Sequence, residues 1–368
     1  MSKTPRFLPR ADLQNFIDTL QNEGYEVIGP QVKDHAVIYA PLKKVEQLPQ
    51  GITDEQEAGR YRLHSTKNNR YFNWVNGPQT IKPFLFAPRQ ILWSVKRNEE
   101  GRLSFEEHKV ETKKRAILGV RACDIAALEL HDKHFLQNII DPYYQNARKQ
   151  LLLVGINCTK SASTCFCVST GDGPEINRGV DILLGEVDAG FLVSAKSDAG
   201  NHVVAQLKLQ EADKGKLKEV EVGIASAAQQ QRQLNADLAH TQLFNRLNHA
   251  RWDEVAERCL SCGNCTSVCP TCFCHSEEDN AVLDGQSSQH IRQWDSCFSQ
   301  GHSYIHGYVF RPETKYRYRQ WLTHKLSSWY EQYGRSGCVG CGRCIAWCPV
   351  GIDITEEVAA ICGEASGA

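Results

Sequence analysis

The chain has 368 residues, 41% hydrophobic and 23% charged, with a formal net charge of −1. That length allows two or three domains with substantial cores, and that charge leaves no electrostatic footprint for nucleic acid. Sixteen cysteines are too many for an ordinary reduced chain unless most of them bind metal.

Residues 1–10 are basic, but no apolar stretch follows, so no secretory signal is expected. No apolar run approaches the ~20 residues of a membrane span. These features predict a cytoplasmic protein. Leu13, Phe16, Ile17 and Leu20 recur at helical spacing, with Gly24 as a stop. Short strands are expected around Val27–Ile28 and residues 37–39. Residues 82–88 are apolar between two prolines and sit badly in a central strand.

Residues 116–120 and 151–156 read as buried strands flanking a helix over 124–136. Strand, helix and strand in that order make a βαβ unit with parallel strands. The loops leaving both strands then share the sheet edge where open α/β folds place ligands. Those loops carry Cys123, Cys158, Cys165 and Cys167. Four thiols converging on one edge make a candidate third 4Fe–4S site. A four-cysteine zinc site and buried structural thiols are the alternatives.

Strands are expected again near 182–184 and 191–193. Residues 207–247 are polar and helix-prone, and a domain boundary is placed there, dividing the chain into 1–235 and 236–368. A helix over 252–258 delivers the chain to Cys259.

Cys259, Cys262, Cys265 and Cys269 follow the spacing C-x2-C-x2-C-x3-C-P, and 79 positions later Cys338, Cys341, Cys344 and Cys348 repeat it. This is the run that holds 4Fe–4S clusters in bacterial-type ferredoxins, where the fourth cysteine of each run ligates the other cluster. The rule predicts Cys259, Cys262, Cys265 and Cys348 on one cluster, with Cys338, Cys341, Cys344 and Cys269 on a second. Structural zinc prefers two separated pairs of ligands, and disulfides need an oxidising compartment. The 68 residues between Cys269 and Cys338 include a helix-like stretch at 310–333. Cys272, Cys274 and Cys297 also lie there. They are candidates either for metal binding, with His275 or His302, or for buried thiols shielding the clusters. The fold expected is an α+β or α/β N-terminal domain with a parallel βαβ unit, followed by an α-helical ferredoxin-like two-cluster domain.

Nucleotide signals are poor. Gly171-Asp-Gly173 lacks the third glycine of a dinucleotide fingerprint, and there is no Walker A sequence or H-E-x-x-H. A chain with cluster ligands but no substrate site stores and passes single electrons.

Six stretches carry a wider resemblance: residues 82–86, 119–124, 141–144, 157–158 with 164–167, 268–274 and 337–344. In these the chain resembles the beta, iron–sulfur subunit of cytoplasmic NiFe hydrogenases of the sulfhydrogenase type. It is similar also to the iron–sulfur component of anaerobic sulfite reductases, which belongs to the same family. That family usually has proline where Ala122 stands, a departure confined to the loop backbone. The resemblance implies a non-catalytic electron-transfer subunit. It would relay electrons between the hydrogenase, or sulfite reductase, catalytic subunits and a flavin/NAD(P)-binding reductase subunit. A self-sufficient iron–sulfur reductase and a zinc-based interaction module are the competing readings.

Overall fold

A computed structural model describes residues 5–108 and 113–363; the start of the basic stretch 1–10 lies outside them. The chain begins with β1 (Arg6–Pro9) and α1 (Leu13–Asn22). The four apolar residues read at helical spacing in α1 are all fully buried. β2 (Glu26–Lys33) and β3 (Ala36–Pro41) form a hairpin, turned by Asp34 and His35 at φ 50° and 61°. A second hairpin joins β4 (Ile52–Glu57) and β5 (Arg60–Ser65). Lys82–Phe84 is a 3-10 turn with Pro83 in its first positions, where its missing N–H costs nothing. Then follow β6 (Arg89–Arg97), β7 (Leu103–Glu107), β8 (Arg115–Val120), α2 (Ala122–Leu136), α3 (Pro142–Lys149) and β9 (Leu151–Ile156). The N-terminal half ends with α4 (Cys167–Thr170), β10 (Ile182–Val187), β11 (Gly190–Ala195), α5 (Asp198–Ala205) and β12 (Gln210–Glu211).

These strands build an eight-stranded sheet in the order β12-β1-β11-β10-β9-β8-β2-β3. Its centre, β10-β9-β8-β2, is parallel, with Ile117 opposite both Ile28 and Leu153. Parallel strands covered on both faces must be apolar throughout, not alternating. Accordingly Leu118, Leu152 and Val154 enter one core with α1, while Ile117, Val120 and Leu153 enter another beneath α2. The βαβ unit read at 116–156 is present, with an additional helix, α3, in its crossover.

After the sheet come α6 (Lys214–Ala227), α7 (Ala236–Gln242), α8 (Arg251–Arg258) and α9 (Asn264–Ser267). Next are β13 (His275–Ala281), β14 (Ser287–Trp294), β15 (Tyr304–Ile305) and β16 (Tyr308–Val309). The chain closes with α10 (Thr314–Thr323), a π-helical turn His324–Ser328, α11 (Trp329–Tyr333), α12 (Arg343–Ala346) and α13 (Ile354–Cys362). Trp252, Tyr318, Trp321, Leu326, Ile345 and Ile361 form their common core, and Phe166 from the N-terminal half is part of it.

The expectation of an α-helical ferredoxin-like domain here needs correction in part. Helices do run into both cysteine runs, α8 before the first and α11 before the second. The span just after Cys274, however, is the hairpin β13–β14, and β14 pairs with β6 in the sheet β13-β14-β6-β7. Residues 275–294 are polar and have no apolar alternation to reveal a strand. Their pairing edge lies about 200 positions earlier in sequence, where local patterning cannot see it.

Candidate metal centres

Both cysteine runs adopt one backbone design. In the first, Ser261 and Gly263 take φ 49° and 76°; in the second, Gly340 and Gly342 take φ 64° and 72°. Two left-handed residues, one on either side of the second cysteine, curl each run into a concave loop that ends at α9 or α12. The third-position N–H turns back on the first thiol, with Gly340 N donating to Cys338 Sγ at 3.4 Å. Ser261 makes the equivalent contact to Cys259.

Cys259, Cys262, Cys265 and Cys348 line one apolar pocket, walled by Phe298, Tyr318, Trp321 and Ile352, with Cys344 of the second run also at its wall. Cys269, the last cysteine of the first run, instead lies with Cys338, Cys341 and Cys344. Cys348 thus lies beside Cys259 and Cys265, and Cys269 beside the thiols of the second run. Among the described residues no three His, Cys, Asp or Glu side chains gather tightly enough for a single ion. Four soft thiols spread around an apolar cavity suit a larger iron–sulfur group.

The apolar walls act on the thiols directly. Burial pushes Cys338 up to about 12, and Cys265 and Cys344 well above the ordinary thiol value. Loading these ligands with metal therefore releases protons. Cys269 is the exception, held well below its ordinary value by hydrogen bonds from Cys272 and Thr271 and by the Lys325 ammonium. Lys325 Nζ lies 3.5 Å from Cys269 Sγ and 2.9 Å from Thr271 Oγ1. It projects from the π-helical turn, a local distortion often found at functional sites. Lys82, also buried, donates to the carbonyls of Ser267, Cys269 and Cys272 and stacks 3.8 Å over the Trp294 ring.

At the sheet edge, β8 is irregular between Leu118 and Val120, where Gly119 takes φ 87°. A Cβ there would come 2.6 Å from the Phe72 ring, so glycine is what allows the strand to turn toward the cysteine loop. Cys123 follows in the first turn of α2, Cys158 just beyond β9, and Cys165 and Cys167 around the start of α4. Cys165 is close to Cys167 and Cys158, and Cys123 is near Cys167. Nitrogen donors face the sulfurs: Asn76 Nδ2 is 3.2 Å from Cys123 Sγ and Gln230 Nε2 is 3.2 Å from Cys167 Sγ. Buried Arg121 reaches the carbonyls of Phe72 and Trp74 at 2.9 and 2.8 Å, with its Nη1 3.9 Å from Cys158 Sγ. Burial pushes Cys167 up to about 12.

This edge is joined to the second cysteine run. Phe166 N donates to Gly340 O at 2.9 Å. A Cβ on Gly340 would meet the Cys167 backbone at 2.5 Å, and one on Gly342 would meet Thr164 O at 2.3 Å. Arg343, between Cys341 and Cys344, forms a two-pronged ion pair with Asp124, both contacts at 3.0 Å. Arg343 Nε donates to Gly77 O at 3.1 Å. Nothing in the spacing of cysteines marks Arg343, Asp124, Lys325 or Lys82 as parts of these centres. A basic residue inside a cysteine run is the one signal that could have singled out Arg343. Cys362 sits on α13 in the C-terminal core, apart from these groups.

Among the described residues no helix is long and apolar enough to cross a membrane. Residues 258–352 match the 4Fe-4S dicluster domain family. Over 334 residues the sequence is 32% identical to sulfhydrogenase 2 subunit beta of Pyrococcus furiosus, a match spanning 85% of this chain and 96% of that protein.

Proposed function

We propose a function from one premise: the chain belongs to the sulfhydrogenase beta-subunit family. It is an iron–sulfur electron-transfer subunit. Its finer role is to carry electrons between the catalytic subunits of a NiFe hydrogenase and a flavin/NAD(P)H-reacting subunit. The observation that supports this is the nearness of Cys348 to the first run and of Cys269 to the second, two runs of one backbone design. An exchange of fourth ligands between two such runs holds two one-electron centres close together.

On this reading Cys259, Cys262, Cys265 and Cys348 hold one 4Fe–4S cluster, and Cys338, Cys341, Cys344 and Cys269 hold another. Cys123, Cys158, Cys165 and Cys167 hold a third, supported by the nitrogen donors aimed at Cys123 and Cys167. Residues 1–235 would house the third cluster and residues 236–368 the pair. Bound there, each cluster takes up and releases one electron at a time. The protein buries the thiols, directs N–H groups at sulfur, and excludes water with the aromatic wall of Phe298, Tyr318 and Trp321. Cys262 and Leu260 are exposed, whereas Cys338 and Cys341 are buried. The first cluster therefore offers the shorter path to a partner's surface.

EPR of the anaerobically purified chain tests the ligand set. Cys348→Ser should damage the signal that also depends on Cys259, leaving the one that depends on Cys338 largely intact. The reverse pattern contradicts the exchange. Purification from native cells should bring down hydrogenase and flavoprotein subunits; recovery with sulfite reductase subunits would place the chain in that complex instead.

A further inference from the structure

Fifteen cysteines remain once Cys362 is set aside, and three of these, Cys272, Cys274 and Cys297, belong to none of the sets above. The tetrapeptide Thr164-Cys165-Phe166-Cys167 recurs as Thr271-Cys272-Phe273-Cys274. The two copies are used alike. Both threonines are fully buried. Both copies dock on the second cysteine run, the first through Phe166 N to Gly340 O at 2.9 Å and the second through Thr271 Oγ1 to Gly337 O at 2.7 Å.

The first copy is completed by Cys123 and Cys158 from neighbouring loops. The second is completed by Cys297 and His302. Cys297 lies close to Cys274 on one side and to Cys265 on the other. The His302 ring faces the Cys274 thiol, while its Nδ1 is 3.0 Å from Asp295 Oδ2. Asp295 is itself tied to this loop, its N–H donating to Cys274 O at 2.9 Å. A carboxylate on one ring nitrogen and a thiol site at the ring's other side is the arrangement that orients a metal-ligating histidine.

The charges around these thiols point the same way. Lys82 and Lys325 are each less than 5% exposed, and among the described residues neither has a carboxylate within ion-pair distance. Arg311 is near Cys297, and its Nε is buried without a hydrogen-bond partner. Buried cations need nearby negative charge, and thiolates are the available source here.

We infer that Cys272, Cys274, Cys297 and His302 hold a further iron–sulfur cluster, beside the two ferredoxin-type centres and ligated by three thiolates and one imidazole. Among the described residues no three of these side chains gather as a single ion requires, and Cys272 lies beside Cys274 as well as beside Cys269. Every cysteine but Cys362 is then a ligand. The inference rests on the reading of the chain as an iron–sulfur subunit, but its test is separate from the test of that reading.

The full-length chain, purified anaerobically, is assayed for iron, sulfide and zinc. The double variant Cys274→Ser/Cys297→Ser should lose about four irons per chain. It should keep the EPR signals that depend on Cys259 and Cys338. Unchanged iron in that variant, or stoichiometric zinc in the unaltered protein, overturns the inference. If the double variant does not fold, His302→Cys serves instead. Pulsed EPR of the reduced, unaltered chain should show nitrogen couplings from a directly bound imidazole, and His302→Cys should abolish them without loss of iron. Absence of such couplings in the unaltered protein, or their persistence in the variant, overturns the site. Loss of the Cys259 and Cys338 signals as well would count against the relay reading as a whole.

Discussion

Breaking the buried Asp124–Arg343 pair should loosen the joint between the sheet edge and the second cysteine run. Both side chains are at most 1% exposed. Asp124→Leu leaves the guanidinium with the Gly77 carbonyl as its remaining hydrogen-bond partner, and Arg343→Leu leaves the carboxylate unpaired. Removing one member of a buried pair costs about 3–5 kcal/mol, whereas replacing both by apolar groups is often near neutral. Each single variant should therefore lose about 3–5 kcal/mol in urea unfolding, and the double variant much less than their sum. The measurement is made on the anaerobic, cluster-loaded chain, with bleaching by an iron chelator followed in parallel. Bleaching should accelerate for the centre that depends on Cys338 before the one that depends on Cys259, because Arg343 lies within the second run. Single-variant costs below about 1 kcal/mol that simply add would refute the argument.

Gly340→Ser should disrupt iron loading at the second run, since its Cβ would meet the Cys167 backbone at 2.5 Å; Ser261→Gly, at the equivalent position of the first run, should leave iron content unchanged. His131, fully buried, is held neutral because desolvation lowers it to about 3. The unfolded chain binds its proton below about pH 6.5, so this residue contributes stability at neutral pH that is lost progressively from about 6.5 towards 3. The loss is about 2 kcal/mol by pH 5, and His131→Phe should flatten that part of the pH–stability profile. The isolated chain should accept electrons from dithionite but show no steady NAD(P)H oxidation without an added flavoprotein. Sustained turnover by the pure chain would contradict the relay role.

Much of this molecule is legible along the chain, because its main signals are local. Cysteine spacing is set by how closely a loop must curl, so both runs and their neighbouring helices can be read in a dozen residues. The apolar runs at 116–120 and 151–156 mark buried parallel strands for the same reason: a strand covered on both faces has no polar side to show. Other features arise between distant segments. Nothing near Asp124 announces Arg343, 219 positions away, and nothing near Lys82 announces the carbonyls of Cys269 and Cys272. The polar hairpin β13–β14 becomes sheet because β6 offers an unpaired edge, a condition absent from its own composition. Glycine at 340 and serine at 261 look like ordinary variation until the fold brings the Cys167 backbone against one and the Thr314 hydroxyl to the other. Spacing records chemistry within a loop, whereas burial, charge pairing and close backbone approach belong to contacts that exist after the sheet and the cysteine runs have packed together.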